Sequence, residues 1–480
     1  MTALEFDRFL NTSPNLLVAP AGYGKTHTIA KSVDTLQNKG VDSVLVLTHT
    51  NAGITSIRDK FKKEAVQTKN VTICTIAGFL QKIVHSLSKA TYQQGNDSDE
   101  FYSKLYANAL ELFQKNNSIL KMALENAYDH IFIDEFQDCN RPQYEIVKIL
   151  SKWNIRIHLL LDPLQTIFNF EANHPDYIAF EKRCRASSPD KVFLLDIPYR
   201  WRNANSPLEQ CVPQWRAMIL NAICQGTMAI DLDQLPGVTY ISGSFDDARK
   251  IINSCLNRAG DVLVLHSQYQ ANNIQARGKV CLGSGYRLRV MESIDQSDFY
   301  DLASAIDLSI QNNDAVESIV YYILQKSGVS ITNLDKWIKT NRLVSKQSDE
   351  EKTIASFLSE AVGHEPRGQA IIDSIEVVTK RIGLPVQRVE LLSDILSSIS
   401  SSLVSGHTIL EEVTRKRNMA RIQGRKLYGK VIGTTLLTKG LEADTVILIK
   451  PSALFKDING LKHLYVALTR AINKIILIDF

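Results

Sequence analysis

The apolar run Leu16-Leu17-Val18 passes directly into Ala19-Pro20-Ala21-Gly22-Tyr23-Gly24-Lys25-Thr26, after which Thr28 to Leu36 can continue as a helix. Few arrangements constrain a chain more. A glycine-rich turn between a buried strand and a helix lets backbone N–H groups close around a phosphate chain, and the helix N-terminus adds its positive dipole. Ala21, Gly22, Tyr23 and Gly24 would form that cradle, with Lys25 on the β- and γ-phosphates and Thr26 on Mg2+. The strict pattern asks for glycine where Ala19 stands, so the strand, turn and helix context carries this reading as much as the residues do.

A second apolar run, Ile131-Phe132-Ile133, ends in Asp134-Glu135. A carboxylate at the tip of a strand beside such a turn suits a Mg2+ contact, and its neighbour suits a base that orients the attacking water. Asp134 is the expected metal residue and Glu135 the expected base. An acidic pair after a strand is common. Together with the glycine-rich turn it points to ATP hydrolysis.

Short apolar, β-branched runs recur at Asn15 to Ala19, Val44 to Thr48, Val71 to Thr75, His130 to Asp134, Ile157 to Asp162 and Val192 to Leu195. They return at Val262 to His266, Gly429 to Thr434, Thr445 to Lys450 and Lys474 to Ile478, with a helix expected over Leu461 to Ala471 between the last two. Runs that are apolar on both faces fit central strands of parallel sheets with crossover helices. The expected fold class is therefore α/β, two P-loop-type lobes with flanking helices and a short helical insertion in each. Residues 1–78 and 128–200 make the first lobe around an insertion at 79–127; residues 201–297 and 406–480 make the second around an insertion at 298–405. The serine-rich piece Ser397 to Ser405 reads as the linker that closes the second insertion.

Composition narrows the class further. A chain of 480 residues with 44% hydrophobic and 22% charged content is globular, and no run approaches the ~20 apolar residues that cross a bilayer. Without a charged-then-apolar leader, a cytoplasmic location and no membrane partner are expected. Seven scattered cysteines with no CxxC pair argue for reduced thiols rather than disulfides or zinc. The net charge of +4 is too mild to identify a nucleic-acid partner, but Glu411 to Lys430 holds seven Lys or Arg against two Glu, a pattern that fits either a phosphate-contacting patch or a solvated helix face.

The remaining motifs resemble one family, the superfamily 1 DNA helicases of the UvrD, Rep and PcrA type, in that family's order. Asp134-Glu135-Phe136-Gln137-Asp138 is similar to its DExQD box and Thr48-His49-Thr50-Asn51-Ala52 to its TxTNxA segment. Asp162-Pro163-Leu164-Gln165-Thr166-Ile167-Phe168 resembles GDxxQSIY, and Pro198-Tyr199-Arg200 resembles NYR. Thr438-Lys439-Gly440-Leu441-Glu442 looks like SKGLE, and Leu464-Tyr465-Val466-Ala467-Leu468-Thr469-Arg470-Ala471 is nearly identical to YVAxTRA. The resemblance implies two RecA-like lobes, with Gln165 sensing the γ-phosphate, Arg200 and Arg470 reaching it from the other wall of the cleft, and Glu442 on the ribose. It also implies single-stranded DNA on Thr50, Asn51, Thr75 and Lys439, with bases stacked on Phe168 and Phe170, and movement 3′ to 5′.

Departures from the family pattern bear on coupling. No Gln precedes Gln37 to read the adenine edge, Leu436 replaces a histidine, Glu171 replaces an arginine, and Pro20 replaces a glycine. The short insertions and the absence of a fused nuclease resemble the helicase subunit of Gabija-type phage-defence systems, which implies a separate OLD-family endonuclease as partner. An alternative of another class keeps the ATPase as a nucleotide-sensing switch on a partner nuclease, with little unwinding of its own.

Overall fold

In the computed structural model, which describes residues 3–41, 43–87, 99–115, 118–168, 174–228, 230–266, 271–285, 287–291, 297–339, 349–384, 386–423 and 429–480, the apolar runs become two parallel six-stranded sheets flanked by helices. The first contains β1 (Asn15–Val18), β2 (Val44–Thr48), β3 (Val71–Thr75), β4 (His130–Ile133), β5 (Arg156–Leu161) and β6 (Val192–Leu194), in the order β3-β2-β4-β5-β1-β6. Its central strands are buried along almost their whole length, Arg156 being the exposed exception. Helices must then cover both faces, since neither can face water. Register aligns Val18 with Leu161, Leu47 with Ile133 and Thr48 with Thr75. Parallel pairing therefore brings the residues after each strand, Ala19, Asp134 and Asp162 among them, to one edge of the sheet, where ligands of open α/β sheets bind.

The second sheet holds β7 (Val238–Ser242), β8 (Val262–His266), β9 (Arg289–Val290), β10 (Lys430–Thr434), β11 (Ala443–Ile449) and β12 (Ala471–Asp479), in the order β7-β12-β11-β8-β10-β9. The chain divides into two compact units, Met1–Val238 with Ile422–Arg425 and Ser452–Lys474, and Thr239–Arg421 with Lys426–Pro451 and Ile475–Phe480. Residues 201–238 and 452–474, assigned from sequence to the second lobe, lie in the first unit. The reason is packing: the helix Cys211–Gln225 lies against the helix Ile458–Leu468, burying Trp215, Ile219 and Leu464, and the Trp201 indole donates to the Ala471 carbonyl at 2.8 Å.

Both helical insertions pack as apolar layers. Helices Ile76–Leu87, Asp99–Gln114 and Ser118–Ala127 place Leu80, Val84, Leu105, Phe113 and Leu124 in one core with Leu47 and Ile133 of the sheet. In the second unit, Phe299, Ile306, Ile323, Ile371, Ile395 and Val413 form a separate helical core. The serine-rich segment is no linker: it is the end of the helix Val389–Ser405, which stops at Gly406 in the left-handed region. Leu391, Leu392, Ile395 and Ile399 recur at helical spacing and are buried, which outweighs the weak helix propensity of the serines. No helix among the described residues is long and apolar enough to cross a membrane, and all seven cysteines are free thiols.

Part of the basic run is drawn into contacts within the protein. Arg417 is fully buried, with its guanidinium 3.7 Å from the Phe299 ring centroid and its Nη1 2.9 Å from Asp394 and 3.3 Å from Glu390. Lys416 pairs with Asp394 at 3.1 Å, Arg415 pairs with Glu412, and the Lys430 ammonium donates to the carbonyls of Arg258 and Gly260 at 2.7 and 2.6 Å. Four of the seven cations thus serve internal contacts, while Arg425 and Lys426 lie outside the described residues. Removing one partner of a buried ion cluster leaves uncompensated charge, a loss of roughly 3 to 5 kcal/mol. Arg417→Ala should therefore destabilise the second unit by about 3 kcal/mol in denaturant unfolding, whereas Arg415→Ala, which removes an exposed side chain from a carboxylate that also accepts from Ser405, should cost under about 1 kcal/mol; equal small effects would contradict the core role.

Candidate functional site

The turn after β1 needs glycine at two places. Gly22 has φ +73° and Gly24 φ +96°, and a Cβ at Gly22 would come 2.7 Å from Trp201 Cζ3 and 2.9 Å from Arg200 Cβ. Ala19, by contrast, only extends the strand, its N–H donating to the Leu161 carbonyl at 3.0 Å; a methyl group is harmless there, which explains the departure from the strict pattern. The Tyr23 N–H donates to the Pro20 carbonyl at 3.2 Å, closing the turn. Lys25 opens the helix Lys25–Asn38 with its ammonium 3.0 Å from the Ala19 carbonyl and 3.6 Å from Glu135 Oε1. Thr26 follows, half-buried, in the first helical turn.

Two carboxylates face that lysine's side of the sheet edge. Asp134 is buried, and its N–H donates to the Leu47 carbonyl at 2.8 Å, continuing the ladder one residue beyond β4. Glu135 has φ +52°, the left-handed region, a conformation that costs a non-glycine residue about 1 to 2 kcal/mol. Its N–H donates to Asp134 Oδ1 at 3.1 Å, and the Gln137 amide donates to its carboxylate. Burial first, and the Glu135 charge second, push the Asp134 carboxyl up to about 7 against the pull of Lys25. A buried carboxyl held so far from its ordinary value beside a second carboxylate supplies oxygen donors of the kind a hard divalent cation takes.

Behind the turn, Asp162 joins the elements. It is fully buried, and its Oδ2 accepts from the Ala21 N–H at 3.2 Å, the Gln165 amide at 2.9 Å and the Tyr465 hydroxyl at 3.0 Å. Its Oδ1 accepts from Arg216. Burial opposes the Asp162 charge, but Arg216 and Lys25 hold the carboxyl below its usual range. Arg470 Nη2 lies 3.4 Å from Gln165 Oε1, and Arg200 Nη1 donates to the Thr469 carbonyl at 2.9 Å. Both arginines sit in the first unit: the Arg200 N–H donates to the Gly22 carbonyl at 3.0 Å, and Tyr465 ties the helix that leads into Arg470 to Asp162.

Sequence reasoning missed Arg216 and gave Asp162 and Tyr465 no role beyond their motifs. The one signal for Arg216 was a charge beside Trp215 in a helix whose Val212, Trp215 and Ile219 are buried.

At the same edge, the Thr50 hydroxyl accepts from the Gly53 N–H at 3.0 Å, capping the helix Asn51–Lys63, and the Thr75 hydroxyl accepts from the Gly78 N–H at 3.0 Å. Asn51 is exposed and Phe168 is 37% exposed, unusual for a large aromatic ring. Phe170 and Glu171 lie outside the described residues. Lys439 and Glu442 follow β10 in the second unit, Lys439 half-buried and Glu442 exposed.

Residues 7–100 and 90–185, the span of this site's phosphate turn, acidic pair and Asp162, match the model of the UvrD/REP helicase N-terminal domain. The chain is a distant relative of the Rep- and UvrD-type helicases. It is similar to the ATP-dependent DNA helicase Rep of Buchnera aphidicola, with 23% identity over 276 residues, 52% of this chain and 40% of that protein. It is 23% identical over 206 residues to RecBCD enzyme subunit RecB of Borreliella burgdorferi, 42% of this chain and 17% of that protein. Over 130 residues it is 27% identical to the exonuclease/helicase subunit RexA of Lactococcus lactis, 26% of this chain and 11% of that protein. The chain spans less than half the length of the curated relatives it matches first.

In this site the acidic pair works against stability. Asp134 binds its proton more tightly folded than unfolded, so the folded state is favoured on the acid side and loses that advantage as pH rises from about 4 to about 7. Asp134→Asn should accordingly raise Tm by a few degrees at pH 8 in metal-free buffer and by much less at pH 5. A Tm unchanged at both pH values would contradict the desolvation of Asp134.

Proposed function

We propose that this chain hydrolyses ATP to move along single-stranded DNA, 3′ to 5′, as a helicase-type translocase. The observation that carries the reading is the convergence of Lys25, Glu135, Gln165 and Arg470 at one sheet edge, in the contacting pairs Lys25–Glu135 and Gln165–Arg470 that Gln137 and Asp162 connect. The phosphates of ATP lie in the Ala21 to Gly24 turn with Lys25 on the terminal pair. Thr26 and Asp134 would hold Mg2+, which when bound neutralises phosphate charge. Glu135 orients the attacking water and accepts its proton. Gln165 contacts the γ-phosphate, and Arg200 and Arg470 stabilise the charge that develops as it leaves.

The strand lies across Thr50 and Asn51, which follow β2, and Thr75, which ends β3 in register with Thr48. Phe168 and Phe170 stack bases, a contact worth about 1 to 3 kcal/mol per base that tolerates any sequence. The exposure of the Phe168 ring supports this use.

A second reading makes the ATPase a switch on a partner nuclease of the OLD type, within phage defence. Leu436 and Glu171, which replace residues expected to couple ATP to DNA, favour it, as do relatives named as exonuclease/helicase and RecBCD subunits. Displacement of streptavidin from the 5′ end of a single strand, dependent on ATP, supports the motor; hydrolysis without displacement from either end supports the switch.

Three substitutions test the chemistry. Lys25→Ala should abolish turnover. Glu135→Gln should keep ATP affinity within a few-fold while kcat falls at least about a hundredfold. Arg470→Ala should lower kcat far more than affinity, and an equal loss in both would reduce its role to ground-state binding. Glu135→Gln turning over at the wild-type rate would remove the proposed base.

A further inference from the structure

We infer that Arg216 is a positioning residue for hydrolysis: by fixing the buried Asp162 carboxylate, it sets the orientation of the Gln165 amide, with Tyr465 as its second anchor. The inference rests on the nucleotide-hydrolysis reading of the site. It names a residue on the helix Cys211–Gln225, outside every motif in the sequence.

The argument begins with saturation. An ionised carboxylate offers about four lone-pair positions and no donor. Asp162 receives four donors, three on Oδ2 from Ala21, Gln165 and Tyr465, and one on Oδ1 from Arg216. With the side chain fully buried, no solvent shares in this arrangement, so the Arg216 contact fixes the plane of the carboxylate and hence the direction of Oδ2. Oδ2 in turn decides which end of the Gln165 amide points where. The amide nitrogen meets Asp162 at 2.9 Å, and the amide oxygen is left on the side of Arg470 at 3.4 Å. A rotated carboxylate would permit the flipped amide, which would present a donor to the Arg470 guanidinium.

Charge supports the same assignment. The groups facing Asp162 are Arg216 and Tyr465 from the two packed helices, Lys25 from the helix after the turn, and Tyr23 in the turn itself. Arg216, 16% exposed at its side chain, is the cation in direct contact, and its Nη1 also reaches the Tyr465 hydroxyl at 3.5 Å. Tyr465 lies on the helix Ile458–Leu468, which ends two residues before Arg470. One hydrogen-bonded triad therefore connects the phosphate turn, Gln165 and the helix that leads into Arg470.

The test is a double-mutant cycle in the full chain, read by steady-state ATPase with single-stranded DNA and by equilibrium binding of a fluorescent ATP analogue. Arg216→Gln should lower kcat about tenfold with KM changed less than about twofold, and Arg216→Lys should recover part of the loss. Because Arg216 acts through Gln165, Arg216→Gln combined with Gln165→Ala should be no slower than Gln165→Ala alone. Tyr465→Phe, which removes only a hydroxyl, gives the same cycle should Arg216→Gln fail to fold, with a kcat loss of several-fold that again vanishes in the Gln165→Ala background. Independent, multiplicative losses, or a wild-type kcat in Tyr465→Phe and Arg216→Gln, would overturn the inference. A wild-type chain that hydrolyses no ATP would instead overturn the nucleotide reading on which it rests.

Discussion

A single buried carboxylate holds the site together. Asp162 stands just beyond β5, between the strand that leads to the phosphate turn and the strand that leads to Asp134 and Glu135. Burying a charge is costly unless it is paired and hydrogen-bonded, and Asp162 meets that condition only with donors from the turn, from its own loop and from two helices distant in sequence. Those donors are therefore not free to arrange themselves independently. The need to satisfy one anion gathers the catalytic groups, which is how a sheet edge becomes a site.

Elsewhere on that edge, stability is given up. Glu135 adopts a backbone conformation unfavourable to any residue but glycine, and Asp134 carries a carboxyl displaced from its ordinary range by burial and by its neighbour. Strain and desolvation of this kind persist only where the surrounding structure enforces them. Here the enforcing structure is the parallel sheet beneath, whose Leu47, Ile133 and Leu161 are almost wholly removed from water. The apolar core and the polar edge are two ends of the same strands.

Much of this was legible in the sequence. All six strands of the first sheet and four of the second announce themselves as apolar runs, because central strands of a parallel sheet are buried on both faces. β7 and β9 did not, since β7 is half-exposed and partly polar and β9 has two residues, both lying at sheet edges. The phosphate turn and the acidic pair were readable because local geometry fixes residue type there, whereas Gln165 was reached only through the family resemblance. Arg216 was invisible, since a lone arginine in a helix gains meaning only from the carboxylate opposite it. The same limit applies to Arg470 and residues 201–238: motif order along the chain does not say which unit a helix packs against, and the tryptophans that decide it, Trp201 and Trp215, look like ordinary core residues. Arg417 shows the converse, a cation in a basic run that turned out to be buried beneath Phe299.

The account stands most directly on whether hydrolysis responds to DNA. The steady-state ATPase rate of the purified chain, with and without single-stranded DNA at low and moderate salt, measures this in one experiment. Phosphate contacts weaken steeply as salt rises, so a strand bound across Thr50, Asn51 and Thr75 predicts strong stimulation that fades with salt. Hydrolysis that is indifferent to DNA at both salts would contradict the account of a motor.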